Sequence, residues 1–555
     1  MSRREQKFWG WGEPGAGPGL PDHAPGLLRE WLGVSGAVVS QPVALAGVRL
    51  RPSVVPPELR AALERAVGAE HVRDDDATRV LRAAGKSYLD LLAMRAGECS
   101  EAPDLVVAPG DHAQVQAVLH ACAEGGAAVI PFGGGTSVVG GVAPERGRWE
   151  TAVSLDLGRL DAVLGVDERA RTVRVQAGCR LPELDHALAA DGLRLGHVPQ
   201  SYEWATAGGC AATRSAGQAS TGFGRFDELV VALRCATPAG ELATLGAPAS
   251  AAGPDLRELI LGSEGTLGVI TELTLRVRPV PAERRYEAWL FRSFAAGCEA
   301  LRALAQSELA PDVARLSDED ETRTTLALAG EGGAVRRAGG AALRALGYRP
   351  GALLIAGWEG DADDVARRRA AAVARVRAAE GGARRRVPGA GGVVPLGRGA
   401  GESWRAARFA GPHLRDALLD RGVLVETLET AATWSALPAI HRAVREAVAS
   451  ALAATPPVVG CHLSHLYPDG ASLYFTVLAR QDADDPAGQW RSAKRAAGDA
   501  IAAAGATITH HHAVGRDHRP WYDRQRPAPF AAALGAAKNA VDPAGMLNPG
   551  VLIDA

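Results

Sequence analysis

No two of the seven cysteines stand in a C-x-x-C spacing. Cys99, Cys122, Cys179, Cys210, Cys235, Cys298 and Cys461 are scattered along the chain. That excludes a disulfide scaffold and is the usage of a reducing cytoplasm. Nowhere do about 18 uncharged apolar residues run together, the length a membrane-spanning helix needs. The opening Met1-Ser2-Arg3-Arg4-Glu5-Gln6-Lys7-Phe8-Trp9-Gly10-Trp11 has no apolar signal core, and Ile553-Asp554-Ala555 is no peroxisomal tripeptide. A soluble, cytoplasmic protein is expected. Excess positive charge is missing too: the net charge is −2, which gives no global footprint for nucleic acid. Arginine runs occur at Arg367-Arg368-Arg369 and Arg384-Arg385-Arg386 within Ala-rich helical stretches. They read as solvated helix faces or loops, with an anionic-lipid contact as the lesser alternative.

The 555 residues allow two or three domains, with 47% hydrophobic residues and with 66 Gly and 34 Pro gathered in turns. The most informative string is Pro131-Phe132-Gly133-Gly134-Gly135-Thr136-Ser137, which follows the apolar run Ala127-Ala128-Val129-Ile130, a buried strand. Before it, Val115, Val118, Leu119 and Cys122 recur at helical spacing behind Asp111 and Gln114, placed as a capping pair. Three glycines after a strand let the backbone pass close to a ligand, and successive N–H groups there form an anion nest that fits a pyrophosphate. The string is not a dinucleotide fingerprint, because Val138 holds the third glycine's place and the next pair is Gly140-Gly141. It is not a Walker A loop either, since no Gly-Lys-Ser/Thr follows.

Three further strings accompany it: Gln200-Ser201-Tyr202-Glu203-Trp204-Ala205-Thr206 before Gly208-Gly209, then Thr213-Arg214-Ser215-Ala216, then Glu264-Gly265-Thr266-Leu267-Gly268-Val269-Ile270. In this order and at these intervals they resemble the FAD-binding domain of the vanillyl-alcohol oxidase superfamily. The resemblance implies that these four strings hold FAD, the Gly-rich loop at the diphosphate and the Gly-Thr-Leu-Gly stretch near adenosine and isoalloxazine. The segment from Gly133 to Val142 has no histidine to which a ring could be attached, so non-covalent FAD is expected.

The expected fold class is α+β. Residues 1–100 form an arm and helices, such as Pro57-Glu58-Leu59-Arg60-Ala61-Ala62-Leu63, whose role is not legible. Residues 101–281 form a PCMH-type flavin domain of two α+β subdomains. It alternates strands such as Thr172-Val173-Arg174-Val175-Gln176 with helices such as Leu181, Leu184, Leu188, and closes at Pro279-Val280-Pro281. Residues 282–490 then change to antiparallel-type strands, Glu287–Phe291 and Ser472–Val477, with long Ala/Arg helices, an α+β cap. Residues 491–555 end in Asp542-Pro543-Ala544-Gly545-Met546-Leu547-Asn548-Pro549-Gly550, which resembles a tail returning to the flavin domain.

Two strings of the second half separate the candidate chemistries: Gly460-Cys461-His462-Leu463-Ser464-His465 running on to Tyr474, and Thr509-His510-His511-His512-Ala513-Val514-Gly515-Arg516. With Arg415-Asp416, Glu426-Thr427-Leu428-Glu429-Thr430 and Trp9-Gly10-Trp11, the ensemble resembles the alkylglycerone-phosphate synthase family. That family exchanges the acyl group of acyl-dihydroxyacetone phosphate for a fatty alcohol through a flavin N5 adduct. The resemblance implies Tyr474 as catalytic acid/base, Arg415 as the substrate-binding arginine near the flavin, and Arg315 and the triple histidine His510, His511 and His512 as catalytic. Its partners are an anionic lipid-like substrate and a fatty alcohol, with membrane contact and a homodimer left open. A guanidinium fork suits phosphate oxygens, and a phenol beside cations is expected to have its pKa lowered.

Each residue has a plainer reading. Tyr474 as a packed cross-strand residue, Arg415 and Arg315 as surface charges, and the triple histidine as a metal site are the alternatives. No ligand spacing is recognisable around the histidines, so a proton relay without metal is expected. If that segment is a strand, His510 and His512 share a face. The runner-up function is an FAD-dependent 2-hydroxy-acid dehydrogenase of the D-lactate or glycolate type. Such enzymes carry Gly-His-x-Gly-Asp-Gly-Asn-x-His and Glu-His-Gly; here His511 replaces the glutamate and Ala513 the glycine.

Overall fold

The computed structural model describes residues 4–328, 348, 350–381 and 393–554. The run Arg384-Arg385-Arg386 lies outside the described residues. Among the described residues three larger sheets, of four, five and seven strands, organise the chain beside two two-stranded ones. The first has Val72–Arg73, Leu105–Val107, Thr151–Asp156 and Ala127–Phe132 side by side, its last three strands parallel. The helix His112–Gly125 packs on it, as the apolar stripe requires: Val115, Val118, Leu119 and Cys122 are fully buried. Asp111 caps that helix by accepting from the Gln114 amide at 2.8 Å, and Gln114 turns back to the Gly110 amide at 2.7 Å. The predicted helix at Pro57 runs over Pro57–Val67 and lays Leu59 and Leu63 against the same core.

The second sheet is antiparallel, in the order Gly240–Ala243, Val230–Thr237, Val269–Arg276, Thr172–Gln176, Val163–Asp167. The period-two strand Thr172–Gln176 has the predicted bounds, with Val173 and Val175 buried. The tail returns to the first sheet. Leu547 bridges Val129, and the buried Lys538 donates to the Thr266 carbonyl, the Leu547 carbonyl and Asp542 at 2.6–2.9 Å.

The third sheet holds seven antiparallel strands: Val393–Gly397, Glu283–Phe291, Ala352–Gly360, Val313–Ser317, Val458–Leu466, Gly470–Arg480, Val423–Thr433. Helices Phe294–Ala305, Ala362–Gly381, Leu437–Ala451 and Pro486–Ala503 share one core with one face of this sheet, where Cys461, Leu463, Leu473 and Phe475 are fully buried. Period two therefore turns His462 and Tyr474 to the opposite face. The solvated reading of Arg367-Arg368-Arg369 is corrected in part. Arg367 is exposed, but Arg368 pairs with Asp312 at 2.9 Å and Arg369 with Glu287 at 2.7 Å. A helix turn fans consecutive arginines to different sides, and the inner two meet acids of the sheet, Asp312 just before the strand Val313–Ser317 and Glu287 within Glu283–Phe291. Among the described residues no helix is long and apolar enough to cross a membrane.

Candidate functional site

Tyr474 stands on the sheet face away from the core, between two neighbours fixed by register. His462 is its partner on one side and Glu429 on the other. The Tyr474 and His462 rings stack at 4.7 Å, 19° from parallel. Arg315, two strands away, donates to Glu321 at 3.0 Å, and His462 Nδ1 meets the same carboxylate at 2.9 Å. The charge of Arg315 is thus matched within the chain and serves to hold His462. Arg415, on helix Gly411–Leu419, differs: one N–H donates to the Lys86 carbonyl at 2.9 Å and Nε has no partner.

The triple histidine is not a strand, so the expected alternation of faces does not arise. The segment bends around Glu429, whose side chain is fully buried. Its two oxygens accept from the backbone amides of His510, His511 and His512 at 2.7, 3.1 and 2.9 Å, and from the Thr509 hydroxyl at 2.5 Å. Burial pushes this carboxyl up, but the three backbone amides and the Thr509 hydroxyl that donate to it favour the ionised form, and it lies well below its ordinary value. A second carboxylate takes the next amides: Glu264, from the Glu264–Ile270 string, accepts from Val514 and Gly515 at 2.9 and 2.8 Å. The histidine loop is therefore suspended between the cap sheet and a flavin-binding string. Burial brings the Glu264 carboxyl to about 7.

The rings form a connected set. His510 Nε2 lies 2.7 Å from the Tyr467 hydroxyl and its Nδ1 3.0 Å from His511 Nδ1. The His511 and His512 rings lie 6.1 and 5.5 Å from Tyr474. Burial lowers the imidazoles, His510 and His512 to about 3, so they are neutral near pH 7. It also pushes the Tyr474 phenol up to about 12, against the smaller pulls of the Thr427 hydrogen bond and the Arg415 charge. The expected lowering of this pKa by cations is thus outweighed by desolvation.

His465 completes the set. Period two would bury it with Leu463, but the ladder slips between Ser464 and Leu466 and His465 takes φ +52°. Such a bulge re-aims a side chain, here to 5.1 and 5.2 Å from the His510 and His511 rings. One nitrogen from each of His465, His510 and His511 lies within 4.8 Å of the others, a grouping able to hold a metal ion. No sequence spacing announces it, because the bulge makes it.

The flavin strings meet as expected. A Cβ on Gly265 would lie 2.8 Å from Pro131, one on Gly133 would lie 2.6 Å from the Thr206 hydroxyl, and one on Gly134 would strike the Trp204 carbonyl. The amides of Gly134, Gly135, Thr136 and Ser137 make no hydrogen bond among the described residues, a set of free donors that fits a diphosphate. Other predicted contacts point elsewhere. Gln200 donates to the Arg408 carbonyl, Tyr202 to Asp185, and Arg214 pairs with Glu258 and the Leu261 carbonyl. Those side chains staple loops, leaving only their backbone to a cofactor. Leu267, Val269 and Ile270 are core residues.

Comparison with known proteins agrees with this geometry. Residues 103–246 match the family model of an FAD binding domain, and 280–552 that of the C-terminal domain of FAD linked oxidases. An alkyldihydroxyacetonephosphate synthase of Dictyostelium discoideum is 32% identical over 508 residues, 90% of this chain and 81% of that protein. A solved alkyldihydroxyacetonephosphate synthase superposes with a TM-score of 0.82 at 27% identity, covering 98% of both chains. A mitochondrial D-lactate dehydrogenase of Arabidopsis thaliana is 35% identical over 181 residues only, 32% of this chain and 31% of that one. With FAD as its cofactor and both halves of the scaffold matched, the chain belongs to the alkyldihydroxyacetonephosphate synthase family.

Proposed function

We propose that this enzyme replaces the acyl group of acyl-dihydroxyacetone phosphate by a fatty alcohol, with Tyr474 moving the proton at the exchanging carbon. The observation that carries the reading is the position of Tyr474, stacked on His462 and facing His511 and His512 on the one sheet face turned toward the histidine loop. The exchange is balanced without outside electrons. A carboxylate leaves, the alcohol oxygen arrives and its hydroxyl proton is released with the departing acid, and the proton taken from the carbon is returned to it. When bound, the flavin supplies an electrophilic centre, and covalent catalysis of this kind divides one hard substitution into two easier ones. Residues Gly133–Ser137, Thr206 and Gly265 would hold it.

The chain's own residues do the rest. Arg315 and Glu321 fix His462, which fixes the Tyr474 ring. Glu429 fixes the three histidines as neutral acceptors for a relayed proton. A groove lined, apart from Thr324, by apolar side chains such as Leu28, Trp31, Leu414, Leu418, Val458 and Leu478 supports a fatty chain as part of the substrate. Leu478 shares the face of Tyr474 four residues on and pairs with Val458, while Leu414 and Leu418 flank Arg415 on its helix. A cytoplasmic location, contact with the membrane that supplies the alcohol, and a homodimer go with this reading; the seven free cysteines support the first. The grouping of His465, His510 and His511 favours a metal-dependent hydroxy-acid dehydrogenase instead, but the similarity to one is confined to a third of the chain. Formation of a hexadecyl ether from palmitoyl-dihydroxyacetone phosphate and hexadecanol, with no electron acceptor present, tests the proposal.

A further inference from the structure

The N-terminal arm, whose role the sequence leaves blank, docks on the helix that carries Arg415. Lys7 Nζ reaches Asp416 at 3.0 Å, and the Trp11 amide donates to the same oxygen at 2.7 Å. Gly10 is obligatory between them, since a Cβ there would strike the Asp416 carboxylate. The Lys7 carbonyl in turn accepts from Lys86 Nζ at 2.8 Å. Lys86 also ties two other elements together: its amide donates to the Ser137 carbonyl of the Gly-rich loop at 2.6 Å, and its carbonyl accepts from Arg415.

Two cations, Lys86 buried and Arg415 half-buried, are thereby left without an ion-pair partner. Lys86 is 4% exposed, and among the described residues neither it nor Arg415 has a carboxylate within ion-pair distance. Asp416, the adjacent acid, gives its Oδ2 to both Lys7 and Trp11 while its Oδ1 has no hydrogen-bond partner, and the nearby Asp90 is engaged in the cap of helix Tyr88–Arg95. Lys86 uses one of its three donors and Arg415 one of its five. Burying unpaired charge is costly unless a partner of opposite sign arrives. In keeping with this, burial brings the Lys86 ammonium down to about 7.

We propose that Lys86 and Arg415 form a phosphate-binding subsite completed by the N-terminal arm, in which Lys7 and Trp11 hold Asp416 away from the two cations. This rests on the proposed function for its preferred occupant, the phosphate monoester of the substrate. The FAD diphosphate offers the same chemistry, since Lys86 is anchored to the Gly-rich loop.

Calorimetric titration of the FAD-loaded full chain with glycerol 3-phosphate reads the subsite without turnover, so its failure is separable from failure of the proposed reaction. FAD affinity is measured in parallel on the apoprotein. Lys86→Met is expected to weaken glycerol 3-phosphate at least tenfold, Lys86→Arg to recover most of that loss, and FAD affinity to change less than threefold. A tenfold loss confined to FAD assigns the same subsite to the cofactor. Lys7→Met, which frees Asp416 to neutralise the cations, is expected to weaken glycerol 3-phosphate as well and carries the test if Lys86→Met is recovered unfolded. Unchanged affinity for both ligands in a folded Lys86→Met protein, or for glycerol 3-phosphate in Lys7→Met when Lys86→Met cannot be tested, overturns the proposal.

Discussion

Tyr474 and His462 lie directly opposite one another across an antiparallel strand pair, their rings stacked 4.7 Å apart. The stack holds the phenol in one orientation, with its oxygen beside the Thr427 side chain. Tyr474→Phe keeps the stack and removes only that oxygen. It is expected to keep fold and flavin while losing activity on the order of 10²–10⁴-fold, the range of a positioned acid/base. Steady-state rates at full flavin content check this, and a rate within threefold of the parent would remove Tyr474 from the chemistry.

Glu429 is the pin of the histidine loop. Glu429→Gln replaces an acceptor-only group by one that turns an NH₂ toward backbone donors. Leaving each buried donor unsatisfied costs roughly 1–3 kcal/mol, so a clear drop in melting temperature is expected. Turnover should fall further than flavin content. Equal stability and activity to the parent would show that the loop is held by other contacts.

The neutral imidazoles make stability depend on pH. Unfolded, an imidazole takes its proton near 6.5; at His510 and His512 it does so only near 3. Because the folded pKa is depressed, this stability is complete above pH 6.5 and is lost as pH falls toward 3. At pH 5 the loss is about 2 kcal/mol for each ring. Melting temperatures measured between pH 7 and 5 should fall, and less steeply in His510→Asn. A slope unchanged by that substitution would contradict the assignment.

Much of this was legible in the chain, for local reasons. The helix stripe at Val115, Val118, Leu119 and Cys122, the strand Thr172–Gln176 and the orientation of Tyr474 follow from periodicity. The glycines marked where backbones approach, and the assignment of the strings to FAD came from their resemblance to the vanillyl-alcohol oxidase superfamily. What escaped depends on distant partners. Asp416 meets Trp11 across 405 positions, and Glu264 meets Gly515 across 251. His465 escaped for another reason: period two sends it to the core, and only a bulge returns it to the site.

The cofactor inventory is expected to be FAD alone, held without a covalent link. Acid precipitation should carry the yellow colour into the supernatant; a yellow pellet would show a covalent bond. Prolonged dialysis against a chelator should leave activity unchanged. Loss restored by a divalent ion would instead assign His465, His510 and His511 as ligands.

The most direct measurement pairs two assays on one preparation. Palmitoyl-dihydroxyacetone phosphate with hexadecanol is followed for ether product, and D-lactate with an artificial acceptor dye is followed for dye reduction. Ether product that disappears in Tyr474→Phe, with no dye reduced, is the expected result. D-lactate-dependent dye reduction that survives Tyr474→Phe, with no ether formed, would contradict the proposed reaction.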